Sequence, residues 1–442
     1  HEDRYVVIGL AHVRSPWFND VARWATVGSL PIEFVKCVSV EELRARIGSG
    51  RPFSAALIDA RLPAADRDLL STLADAGVAS MVVEAAGDQR DWTSLGAVAH
   101  LPTSLDRAVL LDALVTHGRM VGFVSDDPTA TDVAASASAL WRGRLVAVTG
   151  PPGSGTSTLA AALAQGLAAD PRHSGDVVLA DLARRAHQAL LHDARDVVPG
   201  IQELVEAHRT GIPSAEQVRA LSFDMPTRGY RLILGLRRPR DWISIRSRAF
   251  RAALDGLRRS ARIVVADIDG DIEGEEATGS ADIGDRNLLA RATLDDADLV
   301  IAVGTPTTSG VHGLVGLLED LRAHGVPGER TLVVINRGPR APRGRAEMTR
   351  VLANLTGAAD RPGPYVGPVY VTARRGVDGL HRDLGRFPSA MVDPPTQGAL
   401  HLLDELGPRD LTSAPDLEPV AVVPGSLGHW HDEGDDTQEA MT

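Results

Sequence analysis

Lysine is almost missing from this chain. Lys36 stands alone among 46 basic side chains, and every other one is arginine. Cysteine is as scarce: Cys37 is the single one, which excludes an intramolecular disulfide. Set in an apolar run, it reads as a buried small hydrophobe in a reducing cytosol. No apolar stretch approaches the ~18 residues that a bilayer-spanning helix needs, and the opening His1-Glu2-Asp3-Arg4 is charged where a signal peptide would turn apolar. Positive charge is not in excess either. The net charge of −12 argues against a molecule built as a whole to coat nucleic acid or anionic lipid. What is present is 442 residues, 44% hydrophobic and 24% charged, enough for two or three domains with real cores.

The stretch that organises the rest is Gly150-Pro151-Pro152-Gly153-Ser154-Gly155-Thr156-Ser157-Thr158. It follows the apolar run Leu145–Val148 and precedes the helix formers Thr158–Ala164. Strand, glycine-rich turn and helix together form the setting of a phosphate-binding loop, in which free N–H groups at a helix N-terminus meet an anion. The spacing fits G-x-x-x-x-G-K-[ST] at Gly150, Gly155 and Ser157, but Thr156 holds the lysine position. With no other lysine near, none can take over its charge. The plainer alternative is a glycine turn with Ser157 or Thr158 capping a helix.

Ahead of this loop, strand-like and helix-like runs alternate. Tyr5–Leu10, Ile32–Val38, Ala55–Asp59, Ala79–Val83 and Ala97–Leu101 read as strands. Val40–Ile47, Arg67–Ala76 and Leu105–His117 read as helices between and after them. This alternation predicts a parallel sheet covered on both faces. The stretch Ile58-Asp59-Ala60-Arg61-Leu62-Pro63 resembles the response-regulator receiver signature around its phosphorylated aspartate. That family holds Mg²⁺ on an acidic pair after the first strand, where this chain has Ala11-His12. The family's lysine after the fifth strand is Leu101, before Pro102, and Glu84-Ala85 replaces its hydroxyl residue. Residues 1–120 therefore read as a pseudo-receiver used for docking or dimerisation, with Asp59 a solvated carboxylate at a strand end. Residues 121–142, polar and broken by proline, read as a linker.

Beyond the loop, Asp176–Asp181, Gly229–Leu236, Arg262–Asp267, Ala297–Gly304, Thr331–Asn336 and Val369–Val371 read as further strands. The expected fold class is thus α/β, with two doubly wound parallel-sheet domains: one flavodoxin-like, the other a phosphate-loop domain over 143–411. An aspartate ending an apolar strand behind such a loop is placed to hold Mg²⁺, and Asp267, with Ser157 as hydroxyl ligand, fits.

At this point the layout resembles the MinD/ParA superfamily, and within it the CpaE/TadZ-like proteins. The resemblance rests on the receiver-like region, on Gly153-Ser154-Gly155-Thr156-Ser157-Thr158 against G-x-G-K-T-T, on Asp181 and Asp267, and on Ile335-Asn336-Arg337. It implies ATP as cofactor, with Asn336 recognising adenine and with Gly150, Gly153, Ser154, Gly155, Thr156, Ser157, Thr158 and Asp181 forming the nucleotide site. It implies a homodimer with paired nucleotide sites, and protein partners in division-septum or pilus-type secretion machinery. Such a protein is expected in the cytoplasm, recruited by partners to a pole or septum.

The departures fall on the chemistry. The superfamily's extra signature lysine is Pro151, its standard lysine is Thr156, and its second aspartate after strand two, which arranges the attacking water, is Ala183. Binding of ATP and Mg²⁺ is expected to be weak or conditional, and hydrolysis slow or absent, so no residue is assigned as catalytic. Arg184 and Arg185 are the nearest candidates to replace the lysine charge.

Three other regions complete the reading. Arg228–Arg262 holds eleven arginines and only two acids. It offers a basic face for DNA, anionic lipid or an acidic partner, but is read first as the solvated side of a helix over Ile243–Arg259, with Leu254 and Leu257 inward. Asp267–Asp285 reads as an acidic loop that could face that helix. Residues 412–442 read as an acidic disordered tail lacking a basic amphipathic helix, so membrane association would be indirect.

Overall fold

The computed structural model describes residues 4–120 and 141–406, apart from positions 174, 195 and 358–362. Most of the 121–142 linker, the 412–442 tail and its His429-Trp430-His431 stretch lie outside the described residues.

The fold is α/β, with two sheets. The first holds β1 (Tyr5–Leu10), β2 (Ile32–Cys37), β3 (Ala55–Asp59), β4 (Ala79–Val83) and β5 (Ala99–Leu101) in the order β2-β1-β3-β4-β5, all parallel. That is the flavodoxin-like order expected. Every residue of β1 and β3 is buried, because helices cover both faces and each face carries its own apolar cluster. Ser39, Asp66 and Asp106 cap helices Val40–Gly48, Arg67–Asp75 and Arg107–His117 by accepting a backbone N–H three residues on.

The second sheet holds β6 (Arg144–Thr149), β7 (Val177–Asp181), β8 (Phe223–Met225), β9 (Tyr230–Ile233), β10 (Ile263–Asp267), β11 (Leu299–Gly304), β12 (Thr331–Gly338) and β13 (Val366–Thr372). Its order is β13-β12-β11-β6-β10-β7-β9-β8. All pairs are parallel except β8 with β9. The edge strand β8 has no counterpart in the sequence reading. Three half-buried residues give no periodic signal, and the hairpin depends on Gly229 at φ +83°. β10 inserts between β6 and β7, so the C-terminal ends of three strands converge where the strand order switches, the usual ligand crevice of open α/β sheets.

Three expectations are revised. Asp59 is not solvated but 1% exposed. It accepts hydrogen bonds from the Ser15 hydroxyl and from Arg61 Nη2 at 2.7 Å and Nε at 3.0 Å. Burial pulls its pKa upward, but these donors outweigh burial and hold it below the ordinary value. The expected helix Ile243–Arg259 begins later, at Ser247–Ser260, after a 3₁₀ turn started by Pro239; Leu254 and Leu257 point inward as expected. The acidic loop pairs with Arg286, through Asp271, and with Arg291, through Glu276, not with that helix.

The arginine-rich stretch is largely consumed by the protein itself. Arg228, 2% exposed, donates to Leu380 O and Gly385 O, and Arg258 pairs with Asp298. Arg237, Arg248, Arg251 and Arg259 pair with Glu203, Asp75, Asp295 and Asp255.

The two sheet units dock by capping one another's helices. Asp68, on the first unit, accepts the backbone N–H groups of Arg248 (2.9 Å) and Ala249 (3.2 Å), and helix Ser247–Ser260 has no side-chain cap of its own. Arg67 donates to His208 O and Gly211 O at the C-terminus of helix Ile201–Thr210, and Arg209 returns to Asp66 at 2.8 Å.

Candidate functional site

The glycine-rich loop joins β6 to helix Thr156–Ala169. Glycine is required at three of its positions. A Cβ on Gly150 would come within 2.6 Å of Ser154 Oγ, Thr156 Oγ1 and Val303 O. Gly153 and Gly155 sit at φ +82° and +86°. The first N–H groups of the helix have no intrahelical acceptor, and Gly155, Thr156, Ser157 and Thr158 line the crevice.

Thr156 lines the cleft, but its hydroxyl folds back to share a 2.7 Å hydrogen bond with Ser154 Oγ. The Asn336 amide nitrogen donates to Ser154 O at 2.8 Å, and its Oδ1 accepts from Arg337 N at 2.9 Å. Asn336 thus braces the loop from behind. Thr158 Oγ1 lies 3.1 Å from His381 Nε2, tying the first helical turn to helix Val377–Arg382.

Beside the loop stand the two strand-end carboxylates. Asp267 pairs in register with Val148 of β6 on one side and with Asp181 of β7 on the other. Asp181 is 0% exposed and accepts the backbone N–H groups of Gln188 (2.8 Å) and Ala183 (3.4 Å). Burial, then the Asp267 charge, pushes its pKa well above the ordinary carboxylate value. Asp267 is 1% exposed and is pushed up to about 6 by burial, while hydrogen bonds from the Ser157 hydroxyl and Gln188 pull it down. Ser157 and Asp267 both line the cleft, and the Ser157 hydroxyl is among the groups that lower the Asp267 pKa.

The cleft has a volume of about 790 Å³. One wall is the loop, with Pro151 pressed against Gly313 of helix Thr308–His324. The opposite wall is Ala183–Leu191, where Ala183, in the place of the expected second aspartate, adds no carboxylate. Arg184 and Arg185 line the cleft, and their guanidinium groups make no hydrogen bond or ion pair among the described residues. The Asp269 carboxylate is engaged by the Arg184 backbone N–H at 2.7 Å. Among the described residues no group of three or more His, Cys, Asp or Glu forms a ready metal cage. Sequence reasoning missed Gln188 and His381. Neither lies in a motif, and only the strand order brings them to the loop.

Fold and site together define an α/β protein with a glycine-rich loop at the switch point of its larger sheet. No known-family model and no curated protein matches the chain. Solved structures similar to it include a ParA family ATPase from Chlorobium tepidum, at 14% identity and TM-score 0.46, covering 58% of this chain and 99% of that one. The Pyrococcus furiosus cell division ATPase MinD is similar at 14% identity and TM-score 0.42, covering 60% of this chain and 100% of that one. The septum site-determining protein MinD of Pyrococcus horikoshii, complexed with Mg-ADP, is similar at 15% identity and TM-score 0.39, covering 60% and 96%. The chemistry of the cleft is read from its own residues.

Proposed function

We propose that the cleft binds ATP and that the protein is a MinD/ParA-like spatial regulator of the CpaE/TadZ type. It positions division-septum or pilus-type secretion machinery by binding partners, with slow or no hydrolysis. One observation carries this reading: the glycine loop, Asp267 and two arginines unpartnered among the described residues meet in a single cleft of about 790 Å³. Nucleotide-sized ligands occupy pockets of roughly 300–1,000 Å³.

Ser157 and Asp267 are hard oxygen donors lining the same cleft and held by one Gln188 nitrogen, a set that suits Mg²⁺. When bound there, Mg²⁺ would supply neutralising charge to phosphate oxygens. The chain's own contribution is the loop N–H groups and the guanidinium groups of Arg184 and Arg185. Slow turnover follows from what is lost. Thr156 carries no charge, Pro151 replaces a second lysine, and Ala183 holds no water. Each such electrostatic contact is worth ~10²–10³ in rate, although the losses need not multiply.

In this reading residues 1–120 are a pseudo-receiver used for docking, followed by the 121–142 linker, the 143–411 nucleotide unit and the 412–442 tail. The protein is a cytoplasmic homodimer recruited to a pole or septum by its partners, and it meets the membrane only through them. Calorimetric titration with ATP and Mg²⁺, with phosphate release followed in parallel, tests it. Binding with little turnover is the expected outcome, and absence of any ATP-induced heat or thermal shift would sink the reading.

A second reading, a scaffold acting without nucleotide, draws on Thr156 being folded onto Ser154 and on Asn336 being spent on the loop. A DNA-binding role for Arg228–Arg262 loses support, because most of those arginines are engaged within the chain.

A further inference from the structure

Behind two residues that line the cleft lies a side chain that the phosphate-loop reading leaves unused. Gln188 opens the short helix Gln188–Leu191 and is 0% exposed. Its Nε2 donates both to Ser157 O, at 2.9 Å, and to Asp267 Oδ2, at 2.8 Å. Its backbone N–H donates to Asp181 Oδ2, and its carbonyl lies 2.8 Å from His192 Nδ1. Its Oε1, in contrast, is buried without a partner among the described residues. An orphaned buried acceptor is costly, so the orientation of this amide is held by what Nε2 binds. Turning the amide over would set an oxygen against the Asp267 carboxylate.

One nitrogen thus fixes two groups at once. It holds one oxygen of Asp267 and it holds the main chain of Ser157, the two residues of the donor pair. Groups that orient a metal ligand from behind commonly change metal affinity by ~10–100-fold when removed.

We propose that Gln188 is a positioning residue for a divalent cation at this end of the cleft. By bridging Ser157 O and Asp267 Oδ2 it presets the hydroxyl and the carboxylate as a pair, without itself touching ion or nucleotide. The proposal rests on the reading of the cleft as a nucleotide site. Filling space alone would affect stability and leave the cation dependence of binding unchanged.

The test uses the full chain and calorimetric ATP titrations in EDTA and in excess Mg²⁺. It compares wild type, Gln188→Met, Asp267→Asn and the double variant, with folding checked by circular dichroism. The readout is the ratio of the two affinities. Gln188→Met keeps the length and loses the amide. It should shrink the Mg²⁺ enhancement by ~10-fold or more and leave the Mg²⁺-free affinity close to wild type. In the Asp267→Asn background it should have no further effect, because the two act as a unit. If Gln188→Met does not fold, Gln188→Asn carries the test, since its shorter arm cannot span both acceptors and the same loss is expected.

A folded Gln188 variant with the wild-type ratio overturns the proposal. So does an additional loss in the Asp267→Asn background, or a wild-type affinity indifferent to Mg²⁺. Absence of ATP binding by wild type in either condition defeats the nucleotide reading itself, and the proposal with it. That outcome is distinct from a responsive wild type beside an equally responsive variant.

Discussion

Asp181 and Asp267 are register partners on the adjacent strands β7 and β10, both buried, with the Gln188 residue bonding to each. Burial raises both pKa values; the Asp267 charge adds to the rise at Asp181, and the Asp269 charge to that at Asp267. The site keeps Asp181 because it accepts two backbone N–H groups. Asp181→Ala orphans both and should cost ~2–4 kcal/mol. Asp181→Asn retains an acceptor and relieves the repulsion, so it should stay within ~1 kcal/mol of wild type. Urea unfolding at neutral pH distinguishes the two, and equal losses would contradict this account.

Thr156 stands at the position that lysine takes in the G-x-x-x-x-G-K-[ST] spacing. Thr156→Lys should tighten ATP binding by ~10-fold or more, since a hydrogen bond to a charged group is worth ~1.5–3 kcal/mol. Turnover should stay slow, because Ala183 still positions no water. Calorimetry and phosphate release measure the two quantities separately. Fast hydrolysis in the single variant would show that Ala183 is not limiting.

Arg184 and Arg185 line the cleft with guanidinium groups that have no partner among the described residues. Replacing both with alanine should weaken ATP binding by ~10-fold or more and flatten its dependence on salt, as charge-assisted contacts to phosphate disappear. Binding of unchanged strength and salt dependence would remove them from the site.

The capping contact between the two units makes its own prediction. Asp68→Ala should cost ~1 kcal/mol, the usual value of an N-cap. It should also speed hydrogen exchange at the N–H groups of Arg248 and Ala249, which Asp68 holds. Asp68→Asn should retain most of the effect. Exchange mass spectrometry over helix Ser247–Ser260 is the measurement.

His192 is 2% exposed, hydrogen-bonded to Tyr230 OH, and pushed down to about 4 by burial. Its folded pKa lies below the ordinary histidine value near 6.5, so the unfolded chain binds the extra proton first. Its stability contribution is therefore complete above about pH 6.5 and is lost as pH falls through about 4. His192→Phe should flatten the fall in stability across that window, read from denaturant midpoints at several pH values. A variant with the wild-type slope would mean that other buried histidines dominate.

Much of the fold could be read from the sequence, because parallel strands buried on both faces are written as unbroken apolar runs. Tyr5–Leu10, Ala55–Asp59 and Ala79–Val83 match the observed strands residue for residue. The glycine-rich turn between strand and helix was legible as well, since glycine at positive φ leaves a local signature. The edge strand β8, three residues long, left none. Asp59 was misread because a carboxylate at a strand end looks solvated until Ser15, 44 positions away, is found bonded to it.

The sequence alone determined the two largely parallel sheet units and the glycine-rich loop with Thr156 within it, since each is encoded by neighbouring residues through strand periodicity, glycine and residue type. Tertiary structure alone decided that β10 lies between β6 and β7. That places Asp267 beside Asp181, Gln188 beneath both, and Arg184 and Arg185 opposite the loop. The cause is physical: strand order follows from how the helices pack over the sheet, a long-range balance of burial that no local pattern records.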